Sequence, residues 1–207
     1  MSIIIGLTGQ SGAGKTTVSK TLSAQGLGII NCDEIARKCT ADASECNADL
    51  AKFFPECFDD KLVLDRKAIS EIIFTDRNML YLFDSIVYPF ILKEINNEIK
   101  ALSGSFKYIV LDAPTLFESG ADKLCDIKIA VISDSEKRLK RIMNRDRISR
   151  ELAIKRFNSQ LSADYFKKNC EYIIENNSTL EKAEQITKEV IKEIKKKYGN
   201  LYQTTKA

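Results

Sequence analysis

The chain has 207 residues, of which 44% are hydrophobic and 29% charged, and its formal net charge is +3. This composition is ordinary for a globular protein, and so mild a charge gives no argument for binding to nucleic acid or to a membrane surface. The length allows one well-buried core with a small additional subdomain.

Neither the cysteines nor the apolar segments indicate export. No stretch reaches the roughly 18 apolar residues that a membrane span requires, and the first residues lack the basic leader of a signal peptide. The six cysteines form no C-x-x-C pair, and the chain has no histidine. This pattern favours reduced structural thiols over disulfides or a zinc site. We therefore expect a cytoplasmic protein.

Short apolar runs alternate with longer segments of helical spacing at both ends of the chain. Strands are predicted at residues 2–7, 28–31, 107–112, 127–132 and 172–175. Helices are predicted at residues 16–25, 65–73, 77–102, 135–145 and 179–197. Such an alternation predicts an α/β fold whose parallel sheet of about five strands is covered by helices on both faces.

The first predicted strand runs into a glycine-rich segment. Residues 9–16 read GQSGAGKT and match G-x-x-x-x-G-K-[ST] between a strand and a helix, the context of a phosphate-binding loop. We expect Lys15 at the β- and γ-phosphates of ATP and the Thr16 hydroxyl on Mg²⁺. The motif predicts a three-layer P-loop NTPase fold. The residues predicted here to bind ATP are Gly9, Gly12, Ala13, Gly14, Lys15, Thr16 and Thr17.

The third predicted strand ends in Asp112, which is the pattern of a second residue near the magnesium ion. The chain contains no N-K-x-D or D-x-x-G, so a switch GTPase is a poor fit, and it contains no L-S-G-G-Q of a transporter ATPase. Asp112 is followed by Ala113 rather than by a glutamate that would activate water. Transfer of the phosphoryl group to an acceptor therefore fits better than hydrolysis.

A basic segment could exclude water from such a transfer. Residues 137–156 hold nine basic and two acidic side chains, and Arg138, Arg141 and Arg145 recur at helical spacing. Guanidinium groups on one face suit a closing lid that stabilises charge on the transferring phosphoryl group. A solvated basic helix is the alternative interpretation.

The acceptor hydroxyl also needs a base. Asp33 follows the second predicted strand, at the end of a parallel sheet where ligands bind. An aspartate there can accept the proton of the acceptor. It can equally be the N-cap of the helix that begins at residues 34–36.

Several longer stretches resemble the dephospho-CoA kinase family. They read GLTGQSGAGKTTV, NCDEIAR, LDRKAISEIIF, VLDAPTLFESG, RIMNRDRISRELAIKRFNSQ and EYIIENNST. The phosphate loop is common to many proteins, whereas the combination of D-x-I-A-R, L-D-R-K, D-A-P-x-L-F-E and R-x₃-Q is much more specific.

The resemblance implies transfer of the ATP γ-phosphate to the ribose 3′-hydroxyl of dephospho-CoA, with Mg²⁺ as cofactor. It implies Asp33 as general base and Lys15, Arg141 and Arg145 as charge stabilisers. It further places Arg156 and Asn176 at ATP, Gln160 in the motif that closes toward the phosphates, and Arg66 and Glu118 at the substrate.

The resemblance also divides the chain. It implies a nucleotide-binding core at 1–32, 103–135 and 161–207, a helical CoA-substrate domain at 33–102 and a lid at 136–160.

We expect a monomer with no nucleic-acid or membrane partner. A nucleoside or nucleoside-monophosphate kinase and a regulator that binds ATP without transferring it are the alternatives.

The sequence departs from the family pattern at four places. Asn31 stands where the family usually has the first aspartate of Asp-x-Asp, and Tyr88 stands where it usually has histidine before proline. Thr115 interrupts the usual P-L-L, and Cys170 begins a pair that is usually Ala-Asp. The proposed reacting groups are all retained.

Overall fold

The computed structural model describes residues 2–158 and 160–199, without the side chains of residues 155, 156 and 158. The chain divides into two compact units. The first contains the described parts of Met1–Ile30 and Leu102–Ala207, and the second is Asn31–Ala101.

The first unit is built on a five-stranded parallel sheet with the order β2-β3-β1-β4-β5. The strands are β1 (Ile3–Gly9), β2 (Gly28–Asn31), β3 (Tyr108–Asp112), β4 (Ile127–Ile132) and β5 (Tyr172–Glu175). Strand β1 is central, since it pairs in parallel with β3 on one side and with β4 on the other. The prediction of an α/β fold with about five parallel strands is confirmed.

Nine α-helices lie within the described residues. They are α1 (Lys15–Ala24), α2 (Cys32–Cys39), α3 (Glu45–Leu50), α4 (Arg66–Ile73), α5 (Arg77–Leu102), α6 (Ser135–Asp146), α7 (Arg150–Asn158), α8 (Ala163–Asn169) and α9 (Leu180–Tyr198). The sequence predicted no separate bounds for α3, α7 or α8, although α3 lies in the helical domain predicted at residues 33–102 and α7 in the lid predicted at residues 136–160. None of these described helices is long and apolar enough to span a membrane.

Helices cover both faces of the sheet. Successive side chains of a strand point to opposite faces, so each strand contributes to the packing on both sides. On one face, Ile129 of β4 packs in a cluster with Leu22 of α1 and Ile191 of α9. On the other face, Ile132 of β4 packs with Phe166 of α8. The central strands are therefore buried on both faces, which gives the three layers that the sequence predicts.

The second unit is mainly helical. It holds α2, α3 and α4 with most of α5, and an isolated antiparallel bridge between Phe58 and Leu64. Asn47, which is fully buried, donates its Nδ2 to the carbonyl oxygens of Ala41 and Leu62 and so joins two loops. The helices α4 and α5 agree with the helices predicted at residues 65–73 and 77–102.

Asn31 is the N-cap of α2. Its Oδ1 accepts hydrogen bonds from the backbone N–H groups of Asp33 and Glu34, at 3.1 and 3.2 Å. The alternative interpretation of Asp33 as the N-cap is therefore wrong, because the residue two positions earlier already does this. Asp33 is instead an exposed residue in the first turn of α2.

Replacing this cap tests its contribution to stability. We expect Asn31→Ala to lower the free energy of unfolding by about 0.5–2 kcal/mol, because two N–H groups lose their acceptor. Asn31→Ser keeps an acceptor oxygen and places no second carboxylate beside Glu34, to which Asn31 Nδ2 donates at 2.9 Å. It serves as control and should lose less stability than Asn31→Ala. Chemical denaturation followed by circular dichroism gives both values, and equal losses in the two variants would contradict the capping role.

Candidate active site

The glycine-rich loop joins β1 to α1 and presents its two sides to different partners. Ser11, Gly12 and Ala13 direct backbone carbonyl oxygens toward donors in other parts of the first unit. Among the backbone hydrogen bonds of the described residues, none gives a protein acceptor to the N–H groups of Gly12, Gly14, Lys15 or Thr16. A loop whose N–H groups point to the same side, and which leads into the N-terminus of a helix, is suited to bind an anion.

Asn176 holds the loop at Ala13. This residue follows β5, is 7% exposed and donates its Nδ2 to the Ala13 carbonyl oxygen at 2.8 Å. Its own backbone N–H donates to Ile132 at the end of β4, and its carbonyl oxygen accepts from the Ser133 hydroxyl at 2.7 Å. The described contacts thus assign the Asn176 side chain to shaping the loop, and its place beside ATP stays a prediction.

Lys15 and Asp112 form an ion pair beside the loop. Lys15 Nζ donates to Asp112 Oδ1, and the two side chains are 18% and 14% exposed. The register of the sheet brings them together, because Asp112 lies opposite Leu7 where β3 runs beside β1. The structure therefore joins two residues that the sequence placed at the phosphates and at the metal.

Two of the arginines predicted to stabilise charge reach the loop from α6. Arg141 Nη1 donates to the Gly12 carbonyl oxygen at 3.1 Å. Arg145 forms two hydrogen bonds with Asp146, at 2.7 and 3.0 Å, and a longer one of 3.4 Å with the Ser11 hydroxyl. The hydrogen bond to Asp146 raises the pKa of Arg145 above its usual value, so this side chain stays charged.

Helix α6 is positioned by its cap and by an apolar face. Asp134 caps it by accepting from the N–H groups of Glu136 and Lys137. Leu139 and Ile142 are buried against Ala153 of α7. The arginines of the other face are thereby directed at the loop, which excludes the interpretation of a merely solvated helix for this stretch.

Two further polar side chains, Arg138 and Gln160, contact the loop in a way that the sequence does not indicate. Arg138 is 1% exposed and donates its Nε to the Ser11 carbonyl oxygen at 3.0 Å. Gln160 accepts from the Ser11 N–H, also at 3.0 Å. The helical spacing places Arg138 in the predicted lid and the R-x₃-Q motif includes Gln160, but neither pattern shows that a side chain is buried against the loop.

The remaining predicted site residues are spread over the chain. Asp33 lies in the second unit, as does Arg66, whose Nη2 donates to both oxygens of Thr40 at 3.1 and 3.2 Å. Glu118 is an exposed residue after β3. The side chain of Arg156 lies outside the described part of the structure. The proposed roles of these four residues stay predictions.

The family model described as dephospho-CoA kinase matches residues 3–182. A dephospho-CoA kinase of Fusobacterium nucleatum is 42% identical over 184 residues, which cover 87% of this chain and 93% of that protein. Among solved structures, a dephospho-CoA kinase from Campylobacter jejuni has a TM-score of 0.71 at 28% identity, and the match covers 95% of this chain and 98% of that one. A Thermus thermophilus protein has a TM-score of 0.78 at 29% identity, over 93% of this chain and 97% of that one.

The close contact of Gly14 with Asn176 can be tested by substitution. Gly14 has a φ of +98°, and a Cβ there would lie 2.1 Å from Asn176 Nδ2. We expect Gly14→Ala to lower the stability by about 1–3 kcal/mol and to weaken ATP binding by at least about tenfold, because the loop must move. Denaturation and isothermal titration calorimetry measure the two effects.

Gly104→Ala is the matched control, since no heavy atom of the described residues other than Gly104 and its two chain neighbours lies within 4 Å of a Cβ at that position. This variant should bind ATP like the unaltered protein. Normal ATP affinity in Gly14→Ala would show that the loop does not need its present shape.

Proposed function

The chain belongs to the dephospho-CoA kinase family, and we propose that it transfers the γ-phosphoryl group of ATP to the ribose 3′-hydroxyl of dephospho-CoA, giving CoA and ADP. The observation that carries this proposal is the loop of residues 9–17. The carbonyl oxygens of Ser11, Gly12 and Ala13 are held from behind. No backbone acceptor within the described residues takes up the N–H groups of Gly12, Gly14, Lys15 and Thr16, which leaves them for a polyphosphate.

The transfer can be written with the residues of this chain. The 3′-hydroxyl oxygen attacks the γ-phosphorus, the bond to the oxygen that bridges the β- and γ-phosphates breaks, and ADP leaves. The proton of the hydroxyl passes to the Asp33 carboxylate. Lys15, Arg141 and Arg145 stabilise the charge that develops on the phosphoryl oxygens and on ADP.

For this reaction the ion pair of Lys15 and Asp112 has to rearrange. The ammonium group of Lys15, which pairs with the Asp112 carboxylate, would contact the β- and γ-phosphates of ATP instead. Both partners are anionic oxygens, so Lys15 keeps a counter-charge throughout and need not be desolvated alone. The exchange would release the Asp112 carboxylate for another cation.

That cation is Mg²⁺ in our proposal. Thr16 offers an exposed hydroxyl in the first turn of α1, and Asp112 offers a carboxylate at the end of β3. Hard oxygen donors of this kind fit Mg²⁺, which keeps several waters and binds few protein ligands. When bound, the ion would neutralise part of the charge on the β- and γ-phosphates.

The roles of the other predicted residues follow the family. We propose that residues 33–102, which include Arg66, bind the CoA precursor together with Glu118. We also propose that Arg156 and the segment at Asn176 contact ATP. Residues 136–160 would exclude water as a lid. A cytoplasmic location is supported by six cysteines that are all free thiols. A monomeric state stays a prediction.

The activity is tested by the release of ADP with a panel of acceptors. We expect rapid release with ATP, Mg²⁺ and dephospho-CoA, and only background release with adenosine, CMP or no acceptor. Leaving out Mg²⁺ should abolish the signal. Stimulation by CMP or adenosine alone would favour the alternative of a nucleoside or nucleotide kinase, and no acceptor-dependent release at all would favour a regulator.

The role of Asp33 is tested by Asp33→Asn. We expect kcat to fall by about 10²–10⁴-fold, because the amide cannot accept the proton of the hydroxyl. The affinity for ATP should stay within a few-fold. Asp42→Asn removes an exposed carboxylate from the same unit and serves as control, with unchanged turnover. Unchanged turnover in Asp33→Asn would reject this residue as the base.

A further inference from the structure

Arg138 is the largest of the fully buried side chains among the described residues, and it is charged. It stands in the first turn of α6, where its backbone N–H donates to the carbonyl oxygen of Asp134. Its guanidinium carbon lies 4.2 Å from the centre of the Phe157 ring of α7. Burial of a guanidinium is expensive, so the contacts of this side chain need an explanation.

Within the described residues, the two hydrogen bonds of the guanidinium both go to neutral acceptors. Its Nε donates to the Ser11 carbonyl oxygen and its Nη2 to Gln160 Oε1, both at 3.0 Å. No carboxylate within the described residues forms an ion pair with Arg138. Burial lowers the pKa of Arg138 to about 10, which leaves the group charged at neutral pH.

Gln160 connects this charge to the loop a second time. The same Oε1 that accepts from Arg138 also accepts from the Ser11 N–H, at 3.0 Å. Ser11 is therefore held at both polar groups of its backbone by one arginine and one glutamine. The peptide units on either side of Ser11 cannot turn without breaking a hydrogen bond to a charged or a shared group.

We propose that Arg138 is a positioning residue for ATP binding. Together with Gln160 it fixes the backbone of Ser11, and its positive charge, which no carboxylate of the described residues pairs with, lies behind the phosphate loop. The anion that balances this charge is the triphosphate on the other side of the loop. This inference rests on the proposed function, since it requires ATP at residues 9–17.

The two parts of the arrangement can be separated by substitution. Arg138→Gln removes the charge and keeps an N–H donor. Gln160→Glu keeps Arg138 and the acceptor for Ser11, but adds a carboxylate that cancels the charge. Lys140→Gln removes one positive charge from an exposed position of the same helix and is the matched control.

We expect both test variants to weaken ATP binding by about ten- to hundredfold, in line with the loss of a hydrogen bond or charge of a buried ionised group. The KM for ATP should rise accordingly, with kcat and the KM for dephospho-CoA within about twofold. Lys140→Gln should bind ATP normally. Titration calorimetry and steady-state kinetics give these values.

Thermal unfolding separates positioning from a merely structural role. Gln160→Glu should raise the melting temperature, because Arg138 gains a counter-ion, while it weakens ATP binding; a structural role predicts that stability and affinity change in the same direction. This variant also keeps the test decisive if Arg138→Gln fails to fold.

The proposal is wrong if Gln160→Glu binds ATP within about twofold of the unaltered protein, or if Lys140→Gln is weakened as much as the test variants. Failure of the unaltered protein to bind ATP would contradict the proposed function together with this inference. Normal binding of ATP without transfer to dephospho-CoA would contradict only the acceptor assignment.

Discussion

The site depends on a constraint of the peptide backbone, which carries a donor and an acceptor on every ordinary residue. A loop can direct several N–H groups at one anion only if the carbonyl oxygens of its peptide units, which point the opposite way, are satisfied elsewhere. In this chain the donors are the side chains of Arg138, Arg141 and Asn176. They form hydrogen bonds with the carbonyl oxygens of Ser11, Gly12 and Ala13, respectively. The anion site is therefore built as much from the donors behind the loop as from the loop itself.

The sheet explains why these donors are available. The order β1-β4-β5 brings the carboxyl ends of three strands side by side, and the segments that follow β4 and β5 supply α6 and Asn176. A parallel sheet with helical connections collects such segments at one edge even when they are distant in sequence. Asn176 is separated from Ala13 by 163 residues and still bonds to it at 2.8 Å.

Sequence patterns predicted what is encoded over short distances. The five strands and the loop at residues 9–16 follow from local periodicity and from one motif with its flanking elements. The ion pair between Lys15 and Asp112 was not predicted, since the sequence placed the two residues at different groups. The burial of Arg138 and the double role of Gln160 could not be predicted in this way, because they depend on how α6 and the residues after α7 pack on the loop. The cap of α2 was missed for a different reason, since Asn31 and Asp33 are both good N-cap residues and only the backbone decides between them.

The arrangement around Arg138 is hard to explain by stability alone. A methionine of similar length could fill a buried position without the cost of removing a guanidinium from water, and replacing buried charges by apolar side chains often stabilises a protein. Stacking on Phe157 and two hydrogen bonds offset only part of that cost, since both acceptors are neutral. A buried positive charge becomes favourable when an anion arrives nearby, because the low-dielectric interior that makes the lone charge costly also strengthens its attraction to the anion. On this proposal, part of the free energy lost in burying Arg138 would be recovered when an anion occupies the phosphate loop, which would tie a feature of the core to the binding of ATP.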